Sequence, residues 1–367
     1  MSDRNRRISI AVMTHELRRP MAERLRDAHP HLDIRIVCDS GPLGERGSLR
    51  SARAAWAAAA PWATHHLVLQ DDVRLTGNFP EVLGQLVEHR QDGVASLFVE
   101  WGSWTAAVAR VAALCGAGWA EVVDNYVPTQ AVIMPVALAK DVSDRLAEAL
   151  AGDEPDDVAL RRCLQAAGVT PLVAVPNMVE HRDAASLTGN GRHGIRCATA
   201  WTASATSLAG VDLRRAVMGI DAVPVLAWWG QPGAYFRFRD PAAEEGWRKV
   251  PALTALADLG HDPDQALRLA GDALRREPDT GHARRLIGVH LLTELWIAAY
   301  GLGISAAAAG ASPSGEGLDT RVGRRAVGTM ALGALRNRVP RPLFATAAAV
   351  LTPVVRRAVR HGLASVG

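Results

Sequence analysis

Short apolar runs alternate with amphipathic segments over roughly the first 200 residues of the chain. Apolar runs of about four to eight residues predict strands, and apolar residues that recur every three or four positions predict helices. This alternation is typical of βαβ units, in which helices cover both faces of a mainly parallel sheet. The predicted strands are 7–13, 32–38, 66–69, 93–99, 131–135 and 173–175, and the predicted helices are 20–28, 49–60, 79–89, 136–150 and 155–167.

The second half of the chain has a different pattern. Strand signals fade beyond residue 205, and helices are predicted at 253–259, 263–276 and 281–300. Residues 311–317 are rich in Gly, Ser and Pro, which predicts a flexible linker. From Thr320 onward the chain has arginines but no acidic residue, and apolar residues separate the arginines. This basic tail predicts two amphipathic helices, separated around Pro340 and Pro342. They either contact an anionic membrane or an acidic partner, or they pack as a helical cap on the catalytic domain.

Composition narrows the class of protein. The formal net charge of +3 is too small to indicate nucleic-acid binding, and the four scattered cysteines indicate reduced thiols without a zinc or disulfide framework. The apolar run 8–13 is too short for a signal peptide. Residues 286–311 are strongly apolar, but His290 and Glu294 interrupt them, so a buried helix is favoured over a membrane span. We expect a cytoplasmic protein, with membrane association through the basic tail as the open alternative.

Two adjacent carboxylates, Asp71 and Asp72, end the predicted third strand. Neighbouring aspartates repel each other unless a positive charge lies between or beyond them. A Mg²⁺ or Mn²⁺ ion that bridges to a phosphate is the usual solution, because both ions prefer carboxylate and phosphate oxygens. Asp39 follows the second strand, and ligands of parallel sheets bind beyond the carboxyl ends of the strands. The sequence therefore predicts a metal–nucleotide site at this edge.

Four motifs together resemble those of nucleotide-sugar glycosyltransferases of the GT-A fold, of the family 2 type. They are, in chain order, the strand Ile8–His15, the triplet Gln70-Asp71-Asp72, the helix start Asp156-Asp157-Val158-Ala159-Leu160, and Val179-Glu180-His181. The resemblance covers roughly residues 7–200. This chain departs from the family's pattern in having Gln70 at the first position of the triplet and a second Asp where many relatives carry Glu-Asp.

The resemblance implies a role for each motif. Asp72 would bind Mn²⁺ or Mg²⁺ directly, and His181 would be the second protein ligand. Asp71 would contact the donor's ribose or sugar, or reach the metal through water. The implied nucleotide- and donor-binding residues are Thr14, His15, Asp39, Arg46, Arg53, Gln70 and Asp71. In an inverting reaction Asp157 would deprotonate the acceptor, with Asp156 as the alternative base.

Each motif also has a structural alternative. The acidic pair could form a solvated turn, the helix-start carboxylates could serve only the helix dipole, and His181 could be a surface residue. The glycine-rich segment 186–194 is either a lid in which Arg192 or His193 contacts phosphate, or a plain loop. The tryptophans at 101, 104, 228 and 229 either line an acceptor site or belong to the core.

The expected protein is a metal-dependent glycosyltransferase with a GT-A-like α/β sheet and a C-terminal mostly helical region. Its expected parts are a catalytic domain at 1–205, a helical acceptor or partner region at 206–310 and the basic tail at 311–367. The partners are a nucleotide-sugar donor and an acceptor, either a small molecule, a glycan or a lipid-linked molecule. The alternatives are a nucleotidyltransferase, disfavoured because residues 14–19 lack glycine, and a non-catalytic scaffold.

Overall fold

The computed structural model describes most of the chain, as residues 7–42, 45–149, 154–182, 184, 187, 190–227, 229–243, 245–276 and 280–365, without the side chains of Glu45, Arg46, Asn190, Arg192 and Arg276. The chain forms two compact units. Unit 1 comprises Met1–Val99, Asp124–His193 and Trp201–Leu208, and unit 2 comprises Glu100–Val123, Gly194–Ala200 and Ala209–Gly367.

The elements follow in chain order. The strands are β1 Ile8–His15, β2 Ile34–Asp39, β3 His65–Gln70, β4 Val73–Leu75, β5 Ala95–Ser96, β6 Ala117–Glu121, β7 Ala131–Pro135, β8 Leu172–Ala174, β9 Val179–His181, β10 Asp212–Val217, β11 Ala222–Leu226, β12 Ala234–Arg239 and β13 Trp247–Pro251. The helices are α1 Arg19–Asp27, α2 Glu45–Ala57, α3 Phe79–His89, α4 Trp104–Leu114, α5 Val136–Ala149, α6 Asp156–Ala166, α7 Ala252–Asp258, α8 Pro263–Arg276, α9 Thr280–Ile287, α10 Val289–Ala308, α11 Glu316–Asp319, α12 Arg321–Gly328, α13 Met330–Leu335 and α14 Phe344–Ala364.

Unit 1 is built on a mixed sheet. Six of its strands lie in the order β8-β5-β7-β3-β1-β2. Strands β2, β1 and β3 pair in parallel, as do β5 and β8, whereas β7 is antiparallel to both of its neighbours. The predicted α/β class, a large sheet covered by helices, is confirmed; the sheet is mixed, and its order is compatible with a Rossmann-like fold.

Both faces of this sheet are buried. On one face, Ala11 and Met13 of β1 pack with residues of α2, α5 and α6 in one apolar cluster. The residues that alternate with them, Ile10 and Val12, are buried as well. Burial on both faces explains why the strands read as continuous apolar runs in the sequence. The sheet therefore holds the carboxyl ends of its strands rigidly.

Unit 2 contains more β-structure than predicted. Strands β6 and β10 pair in parallel, and β11, β12 and β13 form an antiparallel sheet. The prediction that strands fade beyond residue 205 was therefore wrong for 212–251. In β12, aromatic residues alternate with arginines. Phe236 is fully buried, while the guanidinium of Arg237 lies 3.3 Å from the ring centroid of Trp104, so a basic residue occupies a core-like position.

Helix α4 was not predicted, because residues 105–114 are all buried and the segment has no polar face to show helical period. The single helix predicted at 281–300 is two helices, which Gly288 separates with a positive φ of 77°. The remainder of unit 2 beyond residue 251 is helical, as predicted for the C-terminal region.

Two helices are long and apolar enough, by length and composition, to cross a membrane. They are Val289–Ala308, with mean hydropathy 1.4, and Arg341–Ala364, with mean hydropathy 1.3. Burial of 67% of the first window agrees with the predicted buried helix, whereas 33% of the second window is buried. The predicted break in the basic tail falls at residues 341–343, immediately before α14, and membrane contact through this tail stays a prediction.

Candidate functional site

The polar residues of unit 1 meet at the carboxyl edge of three neighbouring strands. The parallel register pairs His15 at the end of β1 with Asp39 at the end of β2, and Met13 with Gln70 at the end of β3. Asp71, which follows Gln70, is therefore level with Thr14. The sequence-based expectation that these positions share one edge is confirmed.

Asp71 and Asp72 are both held by one arginine. Nη2 of Arg18 lies 2.7 Å from Oδ1 of Asp71 and 2.7 Å from Oδ2 of Asp72. The hydroxyl of Thr14 donates to Oδ2 of Asp71 at 2.5 Å. The two carboxylates are 7% and 8% exposed and the arginine 16%, so this is a buried charge cluster.

The histidine comes from a separate two-stranded ribbon. Strands β4 and β9 pair antiparallel, with Val73 opposite His181, and the amide of Arg182 donates to the carbonyl of Asp72 at 2.6 Å. This pairing places Nε2 of His181 3.4 Å from Oδ2 of Asp72. Two residues that are distant in sequence, and that the resemblance assigns to one metal, therefore lie side by side.

The two carboxyl groups have different acidities. Burial raises the pKa of Asp71 to about 6, although Arg18 and Thr14 act in the opposite direction. Burial would also raise the pKa of Asp72, but its hydrogen bond to His181, together with the charges of His181 and Arg18, outweighs burial and holds that pKa well below its usual range. Asp72 is therefore the carboxylate that stays ionised over the wider pH range.

His15 and Asp39 support the loops beside this cluster. The Nδ1 atom of His15 accepts from the amide of Leu17 at 3.2 Å, and Nε2 lies 3.0 Å from the carbonyl of Gly41. Asp39 accepts from the amide of Gly41 and from the guanidinium of Arg50, each at 3.0 Å. His15 therefore ties the segments after β1 and β2 together, and Asp39 ties the segment after β2 to α2.

Arg46 and Arg53 were the arginines predicted to bind phosphate. The side chain of Arg46 lies outside the described residues. Arg53 is exposed on α2, and the structure gives its side chain no contact with the acidic pair among the described residues. Among the described side chains, Arg18 and Arg50 are arginines that pair with carboxylates at this edge.

The predicted catalytic pair begins α6. Nε2 of Gln70 donates to the hydroxyl of Thr129 at 3.1 Å, and Thr129 in turn hydrogen-bonds to Asp156. Burial raises the pKa of Asp156, against hydrogen bonds from Ser48 and Thr129. Asp157 is half-buried, and its Oδ1 accepts from the amide of Val158 at 2.8 Å. The chain from Gln70 through Thr129 thus connects the end of β3 with the start of α6.

Sequence reasoning missed Arg18, Arg50 and Thr129. Two buried aspartates require a nearby cation and residues 16–18 directly follow β1 on the same edge, but no local pattern singles out Arg18 among the arginines there. Arg50 lies 11 positions after its partner Asp39, with no local pattern that links them.

The residues fit a divalent cation only in part. Oδ1 of Asp72 is buried without a hydrogen-bond partner among the described residues, and Nε2 of His181 is adjacent, which provides two suitable donor groups. Within the described residues, however, no group of three or more His, Cys, Asp or Glu side chains could hold a metal. Mg²⁺ and Mn²⁺ commonly complete their coordination with phosphate and water oxygens. These two donor groups are therefore compatible with such an ion only when phosphate or water oxygens supply its remaining ligands.

The remaining predicted contacts are outside this cluster or outside the described residues. The indole of Trp101 donates to the carbonyl of Ile195 at 2.9 Å and that of Trp104 contacts the hydroxyl of Tyr235 at 3.2 Å, so both tryptophans pack within unit 2. Trp229 is 59% exposed. Trp228, the side chain of Arg192 and residues 186, 188 and 189 of the predicted lid lie outside the described residues, whereas Asn190–His193 form a 3-10 turn.

Comparison with protein-family models and with curated proteins gives no match for this chain. The function is therefore argued from the geometry of the charge cluster, which unites a threonine, an arginine, two carboxylates and a histidine at one sheet edge.

Proposed function

We propose that unit 1 is a GT-A-like glycosyltransferase domain that binds a nucleotide-sugar donor with Mn²⁺ or Mg²⁺ and transfers the sugar to a hydroxyl or amine acceptor. One observation carries the proposal: the four sequence motifs are joined by contacts. Thr14 bonds to Asp71, Asp72 adjoins His181, and Gln70 reaches Asp156 through Thr129. Residues that serve only local structure need not converge in this way.

The donor would lie along the edge formed by the ends of β1, β2 and β3. Asp72 and His181 would hold the cation, and the hydroxyl of Thr14 keeps the carboxylate of Asp71 oriented beside them. When bound, the cation would stabilise the negative charge that develops on the diphosphate leaving group. The guanidinium of Arg18 lies within the same cluster and suits phosphate oxygens.

The acceptor would be activated at the start of α6. Asp157 is only half-buried, so its carboxylate is accessible to take a proton from an incoming hydroxyl or amine. Asp156 is buried, and burial favours its protonated form, so it suits a supporting role better. We therefore assign Asp157 as the base, in line with the resemblance.

Calorimetric titration of a panel of nucleoside diphosphates, with and without Mn²⁺, tests the donor site. We expect one nucleotide to bind only with Mn²⁺ and Asp72→Asn to weaken that binding about tenfold or more, since each tenfold corresponds to loss of about 1.4 kcal/mol. Asp92→Asn, an exposed carboxylate of the same unit, is the matched control and should bind as wild type does. If wild type binds no nucleotide under any condition, a scaffold role replaces this proposal.

Turnover of the nucleotide-sugar that contains the bound nucleotide tests whether Asp157 is the general base. Asp157→Asn should bind the nucleotide normally but lower kcat by about 100-fold or more, the usual contribution of a general base. Asp156→Asn should have a smaller effect. If Asp156→Asn instead abolishes turnover while Asp157→Asn retains it, the roles are reversed. A product that carries the nucleotide itself, in place of the sugar, would indicate a nucleotidyltransferase.

A further inference from the structure

A single nitrogen of Arg18 occupies the position between the two carboxylates. Its Nη2 contacts one oxygen of Asp71 and one of Asp72 at the same distance of 2.7 Å. A divalent cation held by Asp72 and His181 would lie beside this nitrogen, because Nη2 of Arg18 and Nε2 of His181 both approach Oδ2 of Asp72, and two positive centres so close repel each other strongly. The guanidinium and a metal ion are therefore alternatives at this point.

The bridge that Arg18 makes is incomplete. Its Nη2 contacts both carboxylates at 2.7 Å, but its Nε has no hydrogen-bond partner among the described residues. Oδ1 of Asp72 lacks a partner as well. A buried ion pair is strongly stabilising only when further hydrogen bonds satisfy its remaining polar atoms. This arrangement is therefore one that a better-matched set of ligands can replace.

The segment that carries Arg18 is fixed at its backbone, whereas an arginine side chain has several rotatable bonds. Residues 16–18 form a short 3-10 turn directly after β1, which the ring of His15 holds through the amide of Leu17 and the carbonyl of Gly41. A long arginine side chain can reorient from such an anchor by rotating its own bonds. Its planar guanidinium binds phosphate oxygens in a bidentate manner.

From these contacts we infer that Arg18 is an exchangeable counter-ion: it neutralises Asp71 and Asp72 when the site holds no donor, and it transfers to the diphosphate when a cation arrives with the nucleotide. The inference rests on the proposed function for the identity of the phosphate ligand. If Arg18 exchanges in this way, the cation alone binds poorly, because Arg18 competes with it. The cation and the nucleotide then bind cooperatively, because the nucleotide gives the displaced arginine a new partner.

Mn²⁺ binding to the full chain, followed by electron paramagnetic resonance of the free ion, measures the competition without any turnover. We expect Arg18→Gln to bind Mn²⁺ alone about tenfold more tightly than wild type, since a close pair of buried charges contributes at least that factor. Arg24→Gln, which removes an exposed arginine from α1, is the matched control and should bind Mn²⁺ as wild type does.

Thermal unfolding of the same variants shows whether Arg18→Gln folds. The variant should have a lower Tm than wild type in a chelator and should regain it with Mn²⁺, because the ion then replaces the guanidinium. Arg18→Gln should also bind the nucleoside diphosphate with Mn²⁺ about tenfold less tightly than wild type, since its phosphates have lost the arginine.

The outcomes separate the inference from the proposed function. Equal Mn²⁺ affinity in wild type and a folded Arg18→Gln variant would overturn the inference, whether or not nucleotides bind. Nucleotide binding by wild type that does not depend on Arg18 would overturn the transfer to phosphate. If Arg18→Gln gains Mn²⁺ affinity but no nucleotide binds to wild type, the competition between Arg18 and the cation is upheld. The proposed nucleotide-sugar donor, and with it the transfer of Arg18 to phosphate, is then wrong.

Discussion

Buried arginines appear in both units, and they are used differently. In unit 2, Arg110 is fully enclosed; its Nε donates to the carbonyl of Ala326 at 2.9 Å and its Nη2 to that of Trp101 at 2.7 Å. Burial lowers the pKa of Arg110 to about 9. In unit 1, Arg18 has no comparable main-chain partners in the described contacts and faces two carboxylates.

The comparison distinguishes a structural arginine from a functional one. Main-chain carbonyls cannot leave, so an arginine that satisfies them is part of the framework of the fold. Carboxylates with an unsatisfied oxygen, such as Oδ1 of Asp72, can accept another cation. Burial alone therefore does not identify a site; the kind of partner and the completeness of its hydrogen bonds do.

The largest expected effect comes from Arg110→Met. The substitution removes the guanidinium that donates to the buried carbonyls of Trp101 and Ala326, of which that of Ala326 keeps the hydroxyl of Thr329 as a donor, and it should lower the free energy of unfolding by about 3 kcal/mol. Urea unfolding measures this loss, and Mn²⁺ should not restore it. Arg268→Met, an arginine that is 66% exposed in unit 2, is the control and should change stability by less than about 0.5 kcal/mol. A rescue of Arg110→Met by Mn²⁺ would remove the distinction between the two arginines.

A medium effect is expected from Gly102→Ala in unit 2. A Cβ at this position would overlap the guanidinium of Arg336, which is 1% exposed and pairs with Glu100 at 3.1 Å. Overpacking of this kind should lower the free energy of unfolding by about 2 kcal/mol. The control is Gly84→Ala in α3, where a Cβ meets nothing within 4 Å, and alanine there should stabilise by up to about 1 kcal/mol. Equal stability of the two variants would show that Arg336 is not fixed in place.

The smallest expected effect concerns His66, a buried residue of unit 1 away from the charge cluster. It tests whether a buried polar residue there serves the fold, as Arg110 does in unit 2. His66 is 1% exposed, with Nδ1 2.7 Å from the hydroxyl of Ser9 and Nε2 2.8 Å from the carbonyl of Ala55. Burial lowers its pKa in the folded protein. The unfolded chain therefore binds more protons below about pH 6.5, and stability due to this group is present above that pH and lost as the pH falls.

His66→Gln should remove the part of the pH dependence of stability that is due to this imidazole. Chemical unfolding of wild type and variant between about pH 5 and 8 should give stability curves whose separation narrows as the pH falls below about 6.5. The exposed His31 provides the control substitution, His31→Gln. A separation that stays constant over this range would mean that the imidazole is not held neutral in the fold.

The sequence predicts unit 1 far better than unit 2, for physical reasons. Strand β7 at Ala131–Pro135 and helix α3 at Phe79–His89 were predicted with their observed bounds, because each carries a regular apolar pattern. Strand β12 was missed because its arginines occupy positions that a sequence pattern reads as exposed. Of the two, Arg237 is buried against the ring of Trp104, which is distant in sequence, whereas Arg239 is exposed.

In the candidate site, too, contacts between residues that are distant in sequence were harder to predict than local patterns. Asp71 and Asp72 were found because a strand leads directly to them, and His181 because the resemblance supplied a distant partner. Arg18 was missed because local pattern does not indicate which of several arginines turns inward. Its position depends on the 3-10 turn after β1 and on the contacts of His15.

The close packing of α10 against α14 has a consequence for how the chain is made. A Cβ on Gly303 would fall on the main chain of α14, and one on Gly362 would fall on the main chain of α10, so each helix is shaped to its partner. The ribosome completes the segments of unit 1 by Leu208, and it finishes the 20-residue α10 well before α14 exists. During that interval the nascent chain presents an apolar helix without its partner, an aggregation hazard that a chaperone at the ribosome would relieve. The time taken to translate residues 309–364 therefore contributes to how long α10 lacks its partner.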